Sequence, residues 1–113
     1  MKTSIFLLAG LLFAANTQAA GTQAPALKGN LKTGKQLVYT CTGCHGITEY
    51  KNAYPSYRVP KIAGQHEKYL LAALHGYKKG ERNHPTMKAQ ASSFSDQDIA
   101  DIAAYLSSLE DKK

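Results

Sequence analysis

The chain has 113 residues, with 14 lysines and arginines against 8 acidic residues, a formal charge of +6 and an apolar share of 43%. That length allows one domain and no more, and the apolar share is too high for a disordered chain. The positive charge is scattered rather than clustered, which argues against nucleic-acid binding, and two cysteines are too few for a disulfide scaffold.

Lys2 precedes an apolar run from Ile5 to Ala15, and small and polar residues follow up to Gly21. A basic start, a short apolar stretch and small residues at a cut point describe a secretory signal peptide, read here as residues 1–19 with Thr17 and Ala19 before the cut. The run is shorter than the about 20 apolar residues of a membrane span, so no stable membrane insertion is expected after cleavage. No cysteine follows Leu8-Ala-Gly10, as a lipid-anchored leader requires. The expected location is therefore periplasmic, exported and soluble. In an oxidising compartment a free cysteine pair closes into a disulfide unless something captures it.

Residues 20–29 are small and polar with Pro25, and read as a flexible segment before a domain at 30–113. Asn30 is the expected cap of a first helix, whose face carries Leu31, Gly34, Val38, Cys41 and His45 at steps of three or four. A glycine inside a helix costs roughly 1 kcal/mol relative to alanine, so Gly34 predicts a close approach by another element. From Gly46 to Gly64 no period is sustained, and Pro55, Pro60, Tyr50, Tyr54 and Tyr57 mark a long loop. So long a loop in so small a domain needs a non-protein surface to wrap around. A second helix is expected from about Gln65 to Lys79, with Tyr69, Leu70, Ala73, Leu74 and Tyr77 inward and Gly80 as its stop. Residues 81–94, holding His84, Pro85 and Met87, read as another loop. Ser95 and Asp98 then signal a capping box for a last helix with Ile99, Ile102, Ala103, Leu106 and Leu109 in its stripe. With no alternating strand pattern, the fold class is all-α: three main helices and long loops. So few large aliphatic residues cannot close a core alone, which favours a large buried cofactor.

Tyr39-Thr-Cys-Thr-Gly-Cys-His-Gly46 contains both cysteines, and three chemistries compete for it. A redox dithiol needs its Cys-x-x-Cys at a helix start after a strand, and no strand precedes this one. A zinc site needs a second ligand pair at standard spacing, and His66, His75 and His84 supply none. Covalent haem attachment fits: Cys-x-x-Cys-His spaces Cys41 and Cys44 for the two vinyl groups and carries His45 beneath the ring as an iron ligand. Met87 is the expected sixth ligand, a soft thioether off any helical stripe. His84 lies in the same segment and is its rival, while His66 and His75 read as surface residues.

The pieces Cys41-Thr-Gly-Cys-His-Gly46, Val59-Pro-Lys-Ile-Ala-Gly-Gln-His66 with Tyr69-Leu70, Gly80-Glu-Arg82, Met87 and Ser95 to Leu106 resemble the class I cytochromes c. Over residues 30–109 the chain is most similar to the small bacterial periplasmic monohaem branch that also occurs as tandem di-haem proteins. The resemblance implies a cytochrome c fold with one haem c covalently bound through Cys41 and Cys44. It implies a crossing of first and last helices at Gly34 and Tyr105, beside Val38 and Ile102. It also implies a proline carbonyl, Pro60 before Pro55, accepting a hydrogen bond from the haem histidine. Arg58, Tyr57 and Arg82 are its candidate propionate contacts.

With His45 and Met87 on the iron no position remains for substrate, so the expected function is single-electron transfer between redox partners and not catalysis. The alternative is a haem-bearing electron-transfer subunit of a larger periplasmic dehydrogenase; a haem enzyme or gas sensor requires Met87 to stay off the iron. Lys51, Lys61, Lys78, Lys79 and Lys88 are expected near the haem edge and Asp101, Glu110 and Asp111 away from it, which favours redox partners with acidic docking surfaces.

Overall fold

The computed structural model describes residues 26–47 and 59–109. The signal-peptide reading, Lys51, Pro55, Tyr57, Arg58, Glu110 and Asp111 lie outside the described residues. Within them the chain forms five helices: α1 Leu31–Leu37, α2 Tyr39–His45, α3 Glu67–Lys79, α4 Pro85–Ser92 and α5 Asp96–Ser108. There is no strand among the described residues, in keeping with an all-α cytochrome c fold.

Asn30 caps α1, its side-chain oxygen accepting the N–H groups of Lys32 and Thr33 at 2.9 and 3.1 Å. The single helix expected from Leu31 to His45 is two. At Val38 the chain tightens, and the Cys41 N–H donates to the Val38 carbonyl three residues back at 2.9 Å. A shortened turn of this kind leaves the three-to-four periodicity intact, so pattern alone does not reveal it. The break separates a helix that packs into the protein from a short one that carries the cysteines.

The segment from Glu81 to Phe94, expected as loop, contains α4. Pro85 occupies its first turn, where a missing N–H removes no helical bond. His84 is its N-cap, a residue type outside the usual Ser, Thr, Asp and Asn. Met87 is therefore helical, in the first turn of α4. At α5 the capping box is present as expected: Ser95 Oγ accepts the Asp98 N–H at 3.1 Å and the Asp98 carboxylate accepts the Ser95 N–H at 2.8 Å.

α1 crosses α5 in direct backbone contact. A Cβ on Gly34 would overlap the Asp101 carbonyl and stand 2.7 Å from Tyr105 Cβ, so the costly glycine is what lets the two helices meet. Gly29 is equally constrained, against the Ala100 carbonyl and Ala104. The end of the segment read as flexible is thus tied down, and the Lys28 carbonyl accepts from Gln97 Nε2 at 3.0 Å. Asp101, expected away from the haem edge, does not line the cavity described below and is 4% exposed. Its Oδ1 accepts the Asn30 N–H and the Gln97 amide, both at 2.8 Å, so it joins the start of α1 to α5 instead of facing solvent.

The core holds Val38, Ile47, Leu70, Ile102, Ala103 and Leu106, with Cys41, Ile62, Leu74 and Phe94 partly buried around it. Gly64, at φ 76°, donates to the Leu106 carbonyl at 2.8 Å and anchors the segment leading into α3. α3 then packs on both α4 and α5.

Candidate haem site

Between these elements lies a cavity of about 680 Å³, in the range of about 300–1,000 Å³ usual for small-molecule and cofactor sites. α2 contributes Cys41, Cys44 and His45 to its lining and α4 contributes Thr86, Met87 and Gln90. Leu70 and Leu74 of α3, Ile102 and Leu106 of α5, and Ile62 and Phe94 make the remainder largely apolar.

The local structure explains how each group arrives. α2 ends at Gly46, whose left-handed φ of 61° turns the chain away directly after His45. His45 Nδ1 lies 2.7 Å from the Pro60 carbonyl oxygen. A carbonyl only accepts, so Nδ1 carries the hydrogen and Nε2 is left with its lone pair, the form of imidazole that binds a metal. Pro60 itself lines the cavity, and Pro55 is outside the described residues.

Burial pushes the Cys41 thiol above its ordinary pKa; the Thr40 hydroxyl opposes this and the neighbouring Cys44 adds to it. A dithiol redox centre relies on a lowered thiol pKa, so this environment is the wrong one for it. Among the described residues no three or more His, Cys, Asp or Glu side chains are grouped as metal ligands. An apolar chamber of this size, entered by two thiols and a hydrogen-bonded imidazole, fits a haem.

The other histidines separate clearly. His66 is the exposed N-cap residue of α3, and His75 Nδ1 stands 3.8 Å from Asp96 at the surface. His84 does line the cavity, but its Nδ1 accepts the Met87 N–H at 3.3 Å. Arg82 is drawn onto the same wall, its guanidinium 4.8 Å from the Tyr77 ring centroid and 5.9 Å from that of Tyr69. The aromatic cradle under Arg82 went unread in the sequence; Tyr69 and Tyr77 line the cavity with Leu70, Ala73 and Leu74 as the inward face predicts, but they also carry the arginine, and Tyr69 is 50% exposed. Their spacing on α3 before an arginine was the available signal. Among the lysines, Lys61 lines the cavity and Lys79 and Lys88 are exposed, whereas Lys78 is bound to Asp96 at 2.9 Å.

An all-α domain that turns Cys-x-x-Cys-His into an apolar chamber defines a protein with covalently held haem. The cytochrome c family model matches residues 31–110, and the chain belongs to that family, among the class I cytochromes c. It is 40% identical over 85 residues to cytochrome c-554(548) of Halomonas halodenitrificans, covering 73% of this chain and 99% of that one. Cytochrome c4 of Pseudomonas aeruginosa is 40% identical over 80 residues, which are 71% of this chain but only 38% of that protein. The cytochrome subunit of sulfide dehydrogenase of Chlorobaculum tepidum is 31% identical over 111 residues, 94% of this chain and 97% of that one. The protein is thus an electron-transfer protein of the kind that carries covalently bound haem c.

Proposed function

We propose that this is a periplasmic monohaem electron carrier in which His45 and Met87 hold the iron. The observation that carries the reading is the 2.7 Å contact of His45 Nδ1 with the Pro60 carbonyl, which leaves Nε2 as the ligating atom in a cavity that Met87 also lines. Haem c supplies reversible one-electron exchange between ferric and ferrous iron. The chain's residues do the rest. Pro60 orients the imidazole, the apolar lining would exclude water, and Met87 would offer the iron a soft thioether, the kind of ligand that raises the potential. If His45 and Met87 both held the iron, no position would be left for substrate, so the reading is a carrier and not an enzyme. Arg82, held over Tyr77 and Tyr69, is offered as a propionate contact, together with Tyr57 and Arg58 outside the described residues.

The expected export rests on the leader-like residues 1–19, and residues of Lys61, Lys79 and Lys88 type near the cavity suit acidic redox partners. A second reading is favoured by one observation. The cytochrome subunit of sulfide dehydrogenase aligns with 94% of this chain, which supports a haem-bearing subunit of a larger dehydrogenase. Gel filtration of native periplasm separates the two: a lone small haem protein supports the carrier, and a stable co-eluting flavoprotein the subunit. The axial assignment is tested by Met87→Ala. Its haem should stay attached, the far-red charge-transfer band of methionine-ligated ferric haem should vanish, and carbon monoxide should bind the ferrous protein readily. An unchanged band and no carbon monoxide binding would remove Met87 from the iron.

A further inference from the structure

We infer that His84 is the positioning residue for Met87: its ring caps the turn that presents the thioether, Tyr77 of α3 braces that ring, and Arg82 braces Tyr77. The inference rests on the reading of Met87 as an iron ligand.

α4 has little else to hold its first turn in place. Ala91, near its far end, is its one buried residue, and Pro85 and Thr86 are exposed. The first N–H groups of a helix have no partner inside it. Pro85 has none to satisfy, and the Met87 N–H is taken by His84 Nδ1 at 3.3 Å. One turn on, the Lys88 N–H donates to the His84 carbonyl at 2.9 Å, so His84 closes the turn with both its backbone and its ring.

The ring is in turn held from the neighbouring helix. Tyr77 meets it edge to face, with centroids 6.3 Å apart and planes at 78°. Arg82 covers the Tyr77 ring at 4.8 Å, with its guanidinium nitrogen 3.4 Å from the tyrosine hydroxyl. The Arg82 N–H donates to the Gly76 carbonyl at 3.1 Å, and Gly76 leaves room for the arginine stem, since a Cβ there would lie 3.0 Å from Arg82 Cγ. A continuous path therefore runs from the α3 backbone through Arg82, Tyr77 and His84 to the Met87 amide.

The same bond settles what His84 is not. A neutral imidazole that accepts at Nδ1 carries its hydrogen on Nε2, so neither nitrogen has a lone pair to offer iron. In this arrangement the rival ligand of the sequence is the support of the ligand that replaces it.

The test uses the ferric holoprotein, with imidazole as a competitor for the methionine position. In His84→Ala the affinity for imidazole should rise about 5-fold, the factor to which loss of an ordinary side-chain cap corresponds. The far-red methionine band should weaken in parallel. In His84→Asn, which restores a capping oxygen without an imidazole, both should return to wild-type values. If Met87→Ala admits imidazole while His84→Ala changes only the melting temperature, or if asparagine fails to rescue, His84 does not position Met87. If the wild type lacks the methionine band, or Met87→Ala leaves imidazole affinity unchanged, the ligand reading itself fails, and this inference falls with it.

Discussion

Along α5, Ile99, Ala100, Asp101, Ile102, Ala103 and Leu106 are buried, while α4 buries Ala91 alone and α2 buries nothing. Both sides face one cavity, yet they are built differently. α1 and α5 meet in direct contact through Gly34 and Gly29 and are tied by Asp101, a junction made wholly of protein. α2, α3 and α4 turn their apolar groups toward the space between them. The difference marks where a haem would substitute for core: on the side of α2, α3 and α4, and not at the helix crossing.

The strongest way to break this comparison is to remove the covalent links. In the double variant Cys41→Ser, Cys44→Ser no haem should survive acid–acetone extraction, and most of the far-ultraviolet helical signal should go with it. What protection remains in hydrogen exchange should lie in α1 and α5. Cooperative melting with full helicity in the haem-free chain would show that the second half has a core of its own.

Gly34→Val attacks the other half. The added carbons meet the Asp101 backbone, which cannot swing aside as a long side chain can. Overpacking costs typically 1–3 kcal/mol, and a backbone clash puts this variant at about 3 kcal/mol or more by urea denaturation. A loss near zero would mean that α1 slides on α5 freely. Asp101→Ala should cost on the order of 2 kcal/mol, because the Asn30 N–H and the Gln97 amide lose a buried acceptor. Its haem spectrum should not change, since Asp101 is not part of the cavity lining.

The smallest effect expected is an acid one. The Lys78 hydrogen bond, and then its charge, hold the Asp96 carboxyl below the usual aspartate range, and Ser95 does the same for Asp98. Groups with depressed pKa values in the folded state stabilise it above the ordinary aspartate value, and that contribution is lost as pH falls through the depressed values. Both carboxylates are at the surface, so the slope of stability against pH in this acid window should be shallow. Lys78→Met should flatten it, as should raised salt, while Ser95→Ala should flatten it at any salt. A slope untouched by either variant would remove the Lys78–Asp96 link between α3 and α5 from the energetics.

The parts of this architecture that the sequence discloses are those whose cause is local. Cys41, Cys44 and His45 are legible because covalent attachment dictates their spacing. Gly34 is legible because a glycine in a helix is costly enough to need a reason, and Ser95 with Asp98 because a capping box is self-contained. Other features depend on what lies across the fold. Gly29 sits in a polar stretch where a glycine excites no question, and only α5 explains it. Asp101 looks like any surface acid until the Asn30 N–H arrives from 71 positions away. α4 was hidden by its own start signals: Pro85 reads as a breaker when it is an initiator, and His84 caps without belonging to the usual capping set. The break at Val38 leaves no mark on the apolar period at all.

The bond between His45 and Pro60 spans 15 positions of chain, and both its ends are held by other means, with Ile47 2% exposed and Gly64 fastened to Leu106. It acts as a clasp on the neck of a bag. Holding the two ends is what matters for the imidazole, since doubling the length of chain between them costs only about 0.6 kcal/mol in closure entropy. In modular terms the imidazole's orientation is anchored at Ile47 and Gly64, on either side of the clasp. A swap of residues 48–56, keeping Tyr57 and Arg58, that left the haem spectrum and potential unmoved would show that the clasp sets the orientation of the imidazole.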